Sequence, residues 1–288
     1  MKTGIFVGLV TLDVMYQTQL PLDANEKRVA DAVLLAAGGP ATNAAIAFQA
    51  LGNRAILVGA LGKHPLSSIV REDLTQHGVT FIDLTPDATQ PPPFSSIVAA
   101  ATTGDRAVIS RNAMDRPAPP ELPPIAALTE ADVVLVDGHQ MALGATLAQM
   151  AQQRQIPVVV DGGSWKPGFE TVLASATAAV VSETFRPPGC ASVEAAVSYL
   201  QRVGMPQIVV TRGGRSLLYW EGDRQGDWAV PTVNAVDTLG AGDIFHGAFC
   251  HGIAHQLGLL ATLERAAQTA ALSCQFFGTR AWIPHLMP

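Results

Sequence analysis

Short apolar runs alternate with longer amphipathic ones along most of this 288-residue chain, and that rhythm constrains the fold more than any other feature. A short, continuous apolar run is the mark of a strand covered on both faces, and amphipathic segments between such runs are crossover helices. The pattern predicts strands over 5–9, 55–60, 133–136, 157–160, 178–181 and 207–211. It predicts helices over 40–51, 66–76, 143–153, 193–202, 240–255 and 259–276. Pro40 stands at the start of the first helix and Gly52 just past its end, where each residue type is favoured. Residues 216–220 and 227–230 read as an antiparallel edge pair. The expected architecture is a mainly parallel, three-layer α/β/α domain.

One region has a different texture. Pro91, Pro92 and Pro93 lead into β-prone residues 94–101, then Thr102-Thr103-Gly104-Asp105, then residues 107–110. Two such runs around a Gly-containing turn predict a hairpin. Residues 28–36 are expected to add a strand to it, giving a small β lid from about 11–37 and 91–112 within a single domain spanning 1–288. A small sheet with one apolar face needs a cover, which substrate, a second copy of the chain, or both would supply. Residues 117–124 are Pro-rich and read as a surface connection.

Composition narrows the function. Hydrophobic residues make up 48%, enough for a packed core, and only 15% are charged. The net charge is −6 and no Lys/Arg cluster stands out, so nucleic acid and acidic membranes are not expected partners. No run approaches the ~20 apolar residues of a membrane helix. The N-terminal apolar run is interrupted by Gly8 and Asp13 and reads as a buried strand rather than a signal peptide. Cys190, Cys250 and Cys274 are odd in number and widely spaced, which suits reduced thiols in a cytoplasmic protein.

The chemistry concentrates near the C-terminus in Asp237-Thr238-Leu239-Gly240-Ala241-Gly242-Asp243, followed by an apolar helix. Small residues let the backbone approach a ligand closely, and a helix N-terminus presents unpaired N–H groups to an anion. Asp243, in the first turn, would set a carboxylate beside that anion site. Phosphoryl transfer to a hydroxyl needs this pairing of positive dipoles and a base. An Asp that merely complements the helix dipole is the competing reading.

The run resembles the signature of the ribokinase-like, or PfkB, carbohydrate kinases. A second family signature matches near the N-terminus in Gly38-Gly39-Pro40-Ala41-Thr42-Asn43-Ala44-Ala45, followed by Leu51-Gly52. The resemblance covers essentially the whole chain. It implies that Asp243 is the catalytic base and that Gly240, Ala241 and Gly242 form an anion hole. It implies that Asp13, Gly38, Gly39 and Asn43 bind a sugar, and that ATP, with Mg2+, is the phosphoryl donor. A monovalent cation such as K+ and a homodimer through the lid are further expectations of the same kind.

Read by themselves, Gly38 and Gly39 permit close approach and Asn43 can both donate and accept hydrogen bonds. Asp13 lies at the ligand edge of the first strand, where carboxylates take up sugar hydroxyls, or stand exposed in a loop. Thr211-Arg212-Gly213-Gly214 resembles the family's nucleotide loop, with Ser216 in place of its last glycine. Thr211, Gly213 and Thr238 are the expected nucleotide contacts. The family's Asn-x-x-Glu is replaced by Ser182-Glu183-Thr184-Phe185, so the metal ligands stay open, with Glu183 and Asp161 as candidates. Asp137-Gly138-His139 and Asp161-Gly162-Gly163-Ser164 both fall on the ligand edge; a hydrogen-bonded loop is the default for His139, and Lys166 either reaches phosphate or is solvated.

Two segments, residues 8–14 and 236–243, look most like ketohexokinase or fructokinase, which points to a ketose such as fructose. Pro40, with neither N–H nor amide side chain, removes one sugar contact expected there and keeps ribose, a sugar phosphate or a nucleoside in view. Arg28, Arg106 and Arg111 are the cations a sugar phosphate would require, or else solvated hairpin charges. A catalytically silent sugar- or nucleotide-binding protein would tolerate loss of Asp243, which this chain keeps. Gly59-Ala60-Leu61-Gly62-Lys63 lacks the spacing of a P-loop, and the first strand is not followed by the Gly-x-Gly-x-x-Gly of a dinucleotide-binding fold.

Overall fold

In the computed structural model, which describes residues 1–100, 106–111 and 130–286, the chain starts with an interior strand of its larger sheet. β1 (Thr3–Val7) pairs in parallel with β4 (Arg54–Gly59) on one side and β8 (Val133–Val136) on the other. Beyond β8 come β9 (Val158–Gly162), β10 (Ala178–Ser182) and β11 (Gln207–Arg212), all parallel. β5 (Thr80–Asp83) closes one edge, beside β4. β12 (Arg215–Glu221) and β13 (Arg224–Trp228) close the other edge, antiparallel as expected, although β13 starts earlier than residue 227.

The continuous apolar runs are explained by cover on both faces. Phe6, Leu57 and Leu135 point into one layer with α1 (Pro40–Ala50), α2 (Ser67–Gln76), α6 (Ala241–Ala254) and α7 (Leu259–Ser273). Ile5, Val58 and Val136 point into the other with α3 (Met141–Gln153), α4 (Phe169–Leu173) and α5 (Val193–Arg202). Crossovers leave β1 toward β4 and leave β8 toward β9, so the strand order reverses at the β1/β8 boundary. Ligand crevices form beyond the C-terminal strand ends at such a point.

The second sheet has four strands in the order β3 (Ala32–Gly38), β2 (Thr11–Thr18), β6 (Phe94–Ala100), β7 (Arg106–Arg111). The hairpin strands β6 and β7 pair antiparallel as expected; the turn at 102–105 and the Pro-rich 117–124 lie outside the described residues. Two expectations need correction. The strand predicted at 28–36 spans Ala32–Gly38, after the charged Lys27 and Arg28, and it does not pair with the hairpin. It pairs with β2, which stands between them and runs parallel to β6. β2 escapes a pattern reading because Asp13 interrupts its apolar residues, yet that carboxylate is buried at 7% exposure. β5 and α4, of four and five residues, are too short to show a period. The last helix ends at Ser273, short of residue 276.

Candidate active site

The crevice beyond β1 and β8 is organised by a residue whose part the sequence does not disclose. Asp137 follows β8 and is 1% exposed. Its carboxylate accepts hydrogen bonds from the backbone N–H groups of Leu9 (2.9 Å), Ala41 (3.0 Å) and His139 (2.8 Å). It thereby ties the end of β1 to the start of α1. A Cβ on Gly8 would lie 2.1 Å from that carboxylate, so the approach requires glycine. The Thr42 hydroxyl adds a 2.8 Å bond to the Leu9 carbonyl.

The same joint fixes the two glycines before α1. Gly39 has φ 104°, and a Cβ there would meet the Leu9 carbonyl oxygen at 2.3 Å. A Cβ on Gly38 would lie 2.0 Å from an Asp13 carboxylate oxygen. Gly38 and Asp13 are thus packed face to face. Asp13 Oδ1 is buried with no hydrogen-bond partner. Burial pushes the Asp13 carboxyl up to about 6, against the pull of the Ser95 hydroxyl and the Arg280 guanidinium. A buried, unsatisfied acceptor is costly, and a hydroxyl-bearing ligand would relieve it.

On the facing wall, Gly240 takes a left-handed conformation (φ 70°) and α6 begins at Ala241. Asp237 spends its carboxylate on the loop, accepting from the N–H groups of Leu239 (2.9 Å) and Gly278 (3.0 Å). The first-turn amides of Gly242 and Asp243 have no intrahelical acceptor, and a Cβ on Gly242 would meet nothing within 4 Å, so this helix end is open. Asp243 Oδ2 accepts a 2.8 Å hydrogen bond from Asn43 Nδ2, across 200 positions of sequence. Burial, then the neighbouring Asp161, push the Asp243 carboxyl up to about 7, while the Asn43 bond and His246 pull it down. Asp13, Gly38, Gly39, Asn43 and Asp243, named from the sequence, are brought close together: Asn43 bonds Asp243, Arg280 bonds Asn43, and Gly38 packs on Asp13.

Asp161 ends β9 beneath this wall and is 4% exposed. Its carboxyl is raised, first by burial, and its Oδ2 has no hydrogen-bond partner. That oxygen lies 3.5 Å from His246 Nδ1, which is itself 2.7 Å from the Gly242 carbonyl; Nε2 of the ring is 3.0 Å from the Val180 carbonyl. His246, one turn after Asp243, was not singled out from the sequence.

Toward β11, Gly213 adopts φ 61° with open space where a Cβ would stand, and the Thr211 hydroxyl bonds the Val181 carbonyl (3.4 Å). The Thr238 hydroxyl accepts a 2.6 Å bond from Arg106 of β7, which joins the small sheet to the loop before α6. Glu183 is paired with Arg215. Lys166 reaches the Asp137 carbonyl at 3.4 Å and lies over the Phe169 ring. His139 is held by its backbone to Asp137, and burial pushes its imidazole down. Among the described residues no group of three or more His, Cys, Asp or Glu could hold a metal ion, and no helix is long and apolar enough to cross a membrane.

Two sheets and an open helix end, with Asp243 bonded to Asn43 of the facing wall and Asp13 nearby, fit a group-transfer enzyme of the α/β class. The model of the pfkB family of carbohydrate kinases matches residues 2–286, and the chain belongs to that family. It is similar to the ribokinase of Lactococcus lactis subsp. lactis (strain IL1403), 24% identical over 97% of this chain and 93% of the relative. It is also similar to the acarbose 7(IV)-phosphotransferase of Actinoplanes sp., 29% identical over 93% and 90% of the two chains. The Arabidopsis thaliana ribokinase complexed with ribose and ATP has the same fold, with a TM-score of 0.77 at 20% identity over 98% of this chain and 94% of that one. Ribokinases recur among these relatives, and the likeness to ketohexokinase read from residues 8–14 and 236–243 is not shown by them. The chain is an ATP-dependent carbohydrate kinase, so the reading as a silent binding protein falls.

Proposed function

We propose that this kinase phosphorylates a hydroxyl of a ribose-like sugar, with Asp243 as the base. Asp243 carries the reading: a carboxylate poised near 7 in the first turn of an open helix end, hydrogen-bonded to Asn43 of the facing wall. A base with a pKa near the working pH can take a proton and still be ionised. The sugar lies against Asp13, Gly38, Gly39 and Asn43, where the unpartnered Asp13 Oδ1 accepts a hydroxyl. Asp243 removes the proton as the sugar oxygen attacks the terminal phosphorus of ATP, and ADP departs. The amides after Gly240 receive the charge on the transferring group. Thr211, Gly213 and Thr238 lie on the nucleotide side.

Mg2+ neutralises phosphate charge when bound with ATP. Glu183 is spent on Arg215 and Asp161 is buried against His246, and among the described residues no group of three or more acidic, His or Cys side chains forms a cage. Magnesium held chiefly by phosphates and water suits this site. The small sheet acts as a lid over the sugar, and its outer face meets a second copy of the chain.

Ribose is preferred to fructose because full-length relatives are named ribokinases. A sugar phosphate has less support: of the three candidate cations Arg28, Arg106 and Arg111, Arg28 is bound to Glu26 and to the Gln19 carbonyl, and Arg106 to Thr238. The test is an ATP-consumption screen over ribose, deoxyribose, fructose, sugar phosphates and nucleosides, with Asp243→Asn in parallel. Ribose or deoxyribose should be turned over fastest, and Asp243→Asn should lose about 10²–10⁴-fold in kcat while still binding ATP. Near wild-type turnover by that variant would refute the base assignment; fructose as the best acceptor would refute the sugar.

A further inference from the structure

We propose that Arg280 is a positioning residue for phosphoryl transfer, fixing the Asn43 carboxamide so that its nitrogen donates to Asp243. The inference rests on Asp243 being the base. Arg280 follows α7 in the segment that closes the chain against α1, and its side chain is only 10% exposed. Its guanidinium is fully engaged. Nη1 donates to Asn43 Oδ1 (3.0 Å) and to the Thr279 hydroxyl (2.8 Å). Nη2 donates to the Ala37 carbonyl (2.6 Å) and to Asp73 Oδ2 of α2 (3.0 Å). Asp73 in turn accepts from the Ala37 N–H (2.9 Å).

A carboxamide can be turned end for end at almost no steric cost, so its partners decide which end faces where. Guanidinium has donors only. Asn43 must therefore show it oxygen, which leaves nitrogen for the Asp243 carboxylate. That donation occupies Oδ2 and leaves Oδ1 to take the proton from the acceptor. Turned the other way, the amide oxygen would face the carboxylate and favour its protonated, inactive form. The other groups acting on Asp243 are Asp161 from β9, Asp137 from β8 and His246 of its own helix; none of them selects the amide orientation.

A purely structural role, stapling residues 279–282 to α2 and β3, would use the same bonds, so the test must read the base. Single-turnover rates are measured against pH for wild type, Arg280→Met, Arg280→Lys, Asn43→Leu and the Arg280→Met/Asn43→Leu double variant. In Arg280→Met the acid limb should move up by about one unit, so the rate falls about fivefold at about pH 7 and approaches roughly tenfold further down the limb, and it recovers in alkali. Arg280→Lys, able to hold Asn43 or Asp73 but not both, should shift the limb less. The double variant should move it no further than Asn43→Leu alone. A wild-type limb in Arg280→Met, or in Arg280→Lys if the first does not fold, overturns the proposal, as does an additive double variant. Asp243→Asn separates the two readings. If it keeps turnover, the base assignment falls; if it is inactive while the Arg280 variants keep the wild-type limb, only the role of Arg280 falls.

Discussion

Gly39 shows how local geometry forces a residue choice. With φ 104° and a carbonyl oxygen 2.3 Å from any Cβ, Gly39→Ala would cost roughly 1–3 kcal/mol, measurable as a lower unfolding midpoint in urea. Asp13 has the opposite character. Its folded pKa of about 6 lies above the ordinary value, so the folded state binds more protons than the unfolded state between roughly pH 4 and 6. Stability therefore falls as pH rises through that window. Asp13→Asn should stabilise the protein by on the order of 2 kcal/mol at pH 8 and by almost nothing at pH 4, while raising KM for the sugar. Equal unfolding midpoints for the two proteins at pH 8 would contradict this. Asp73 behaves in reverse: burial alone would raise it, but His77, Arg280 and the Ala37 N–H hold it at about 2. Its contribution is present above about pH 4 and is lost as pH falls toward 2.

At the level of elements, the small sheet is tied to the phosphate side by one bond from Arg106 to Thr238. Arg106→Ala should raise KM for the sugar severalfold with little change in melting temperature, because β7 is exposed along its length. A fall in melting temperature with KM unchanged would mean that the bond serves packing instead. The buried strands were legible because cover on both faces leaves no polar alternation to blur them. The Gly38–Asn43 and Asp237–Asp243 segments were legible because their glycines are required by close approach and positive φ. β2 was not legible, since Asp13 breaks its apolar pattern. Arg280 was not legible either: it meets Asn43 across 237 positions, and no local pattern records a contact of that range.

For the molecule as a whole, the described residues leave part of the outer face of the small sheet exposed, beyond the end where Leu12 and Val14 join the main core. Register places Tyr16, Val33, Leu35 and Ile109 on this one face, with Ile109 79% exposed. Apolar side chains exposed together on one face are a feature of association surfaces, and a second copy of the chain is the proposed cover. Leu35→Asp with Ile109→Lys should convert a dimer to a monomer in sedimentation velocity; an unchanged sedimentation coefficient would remove the dimer proposal.

The interior position of β1, flanked by two strands made later, has a consequence for synthesis on the ribosome. β1 emerges before every partner it has; α1 covers part of one face early through Phe48 against Phe6, and α6 and α7 complete that layer only at the end. Until α6 and α7 are made, the layer holding α1 and α2 is incomplete, the condition under which chaperones engage and premature release leads to aggregation. The crevice closes last, when α6 brings Asp243 to Asn43, so the kinase becomes active only as folding finishes.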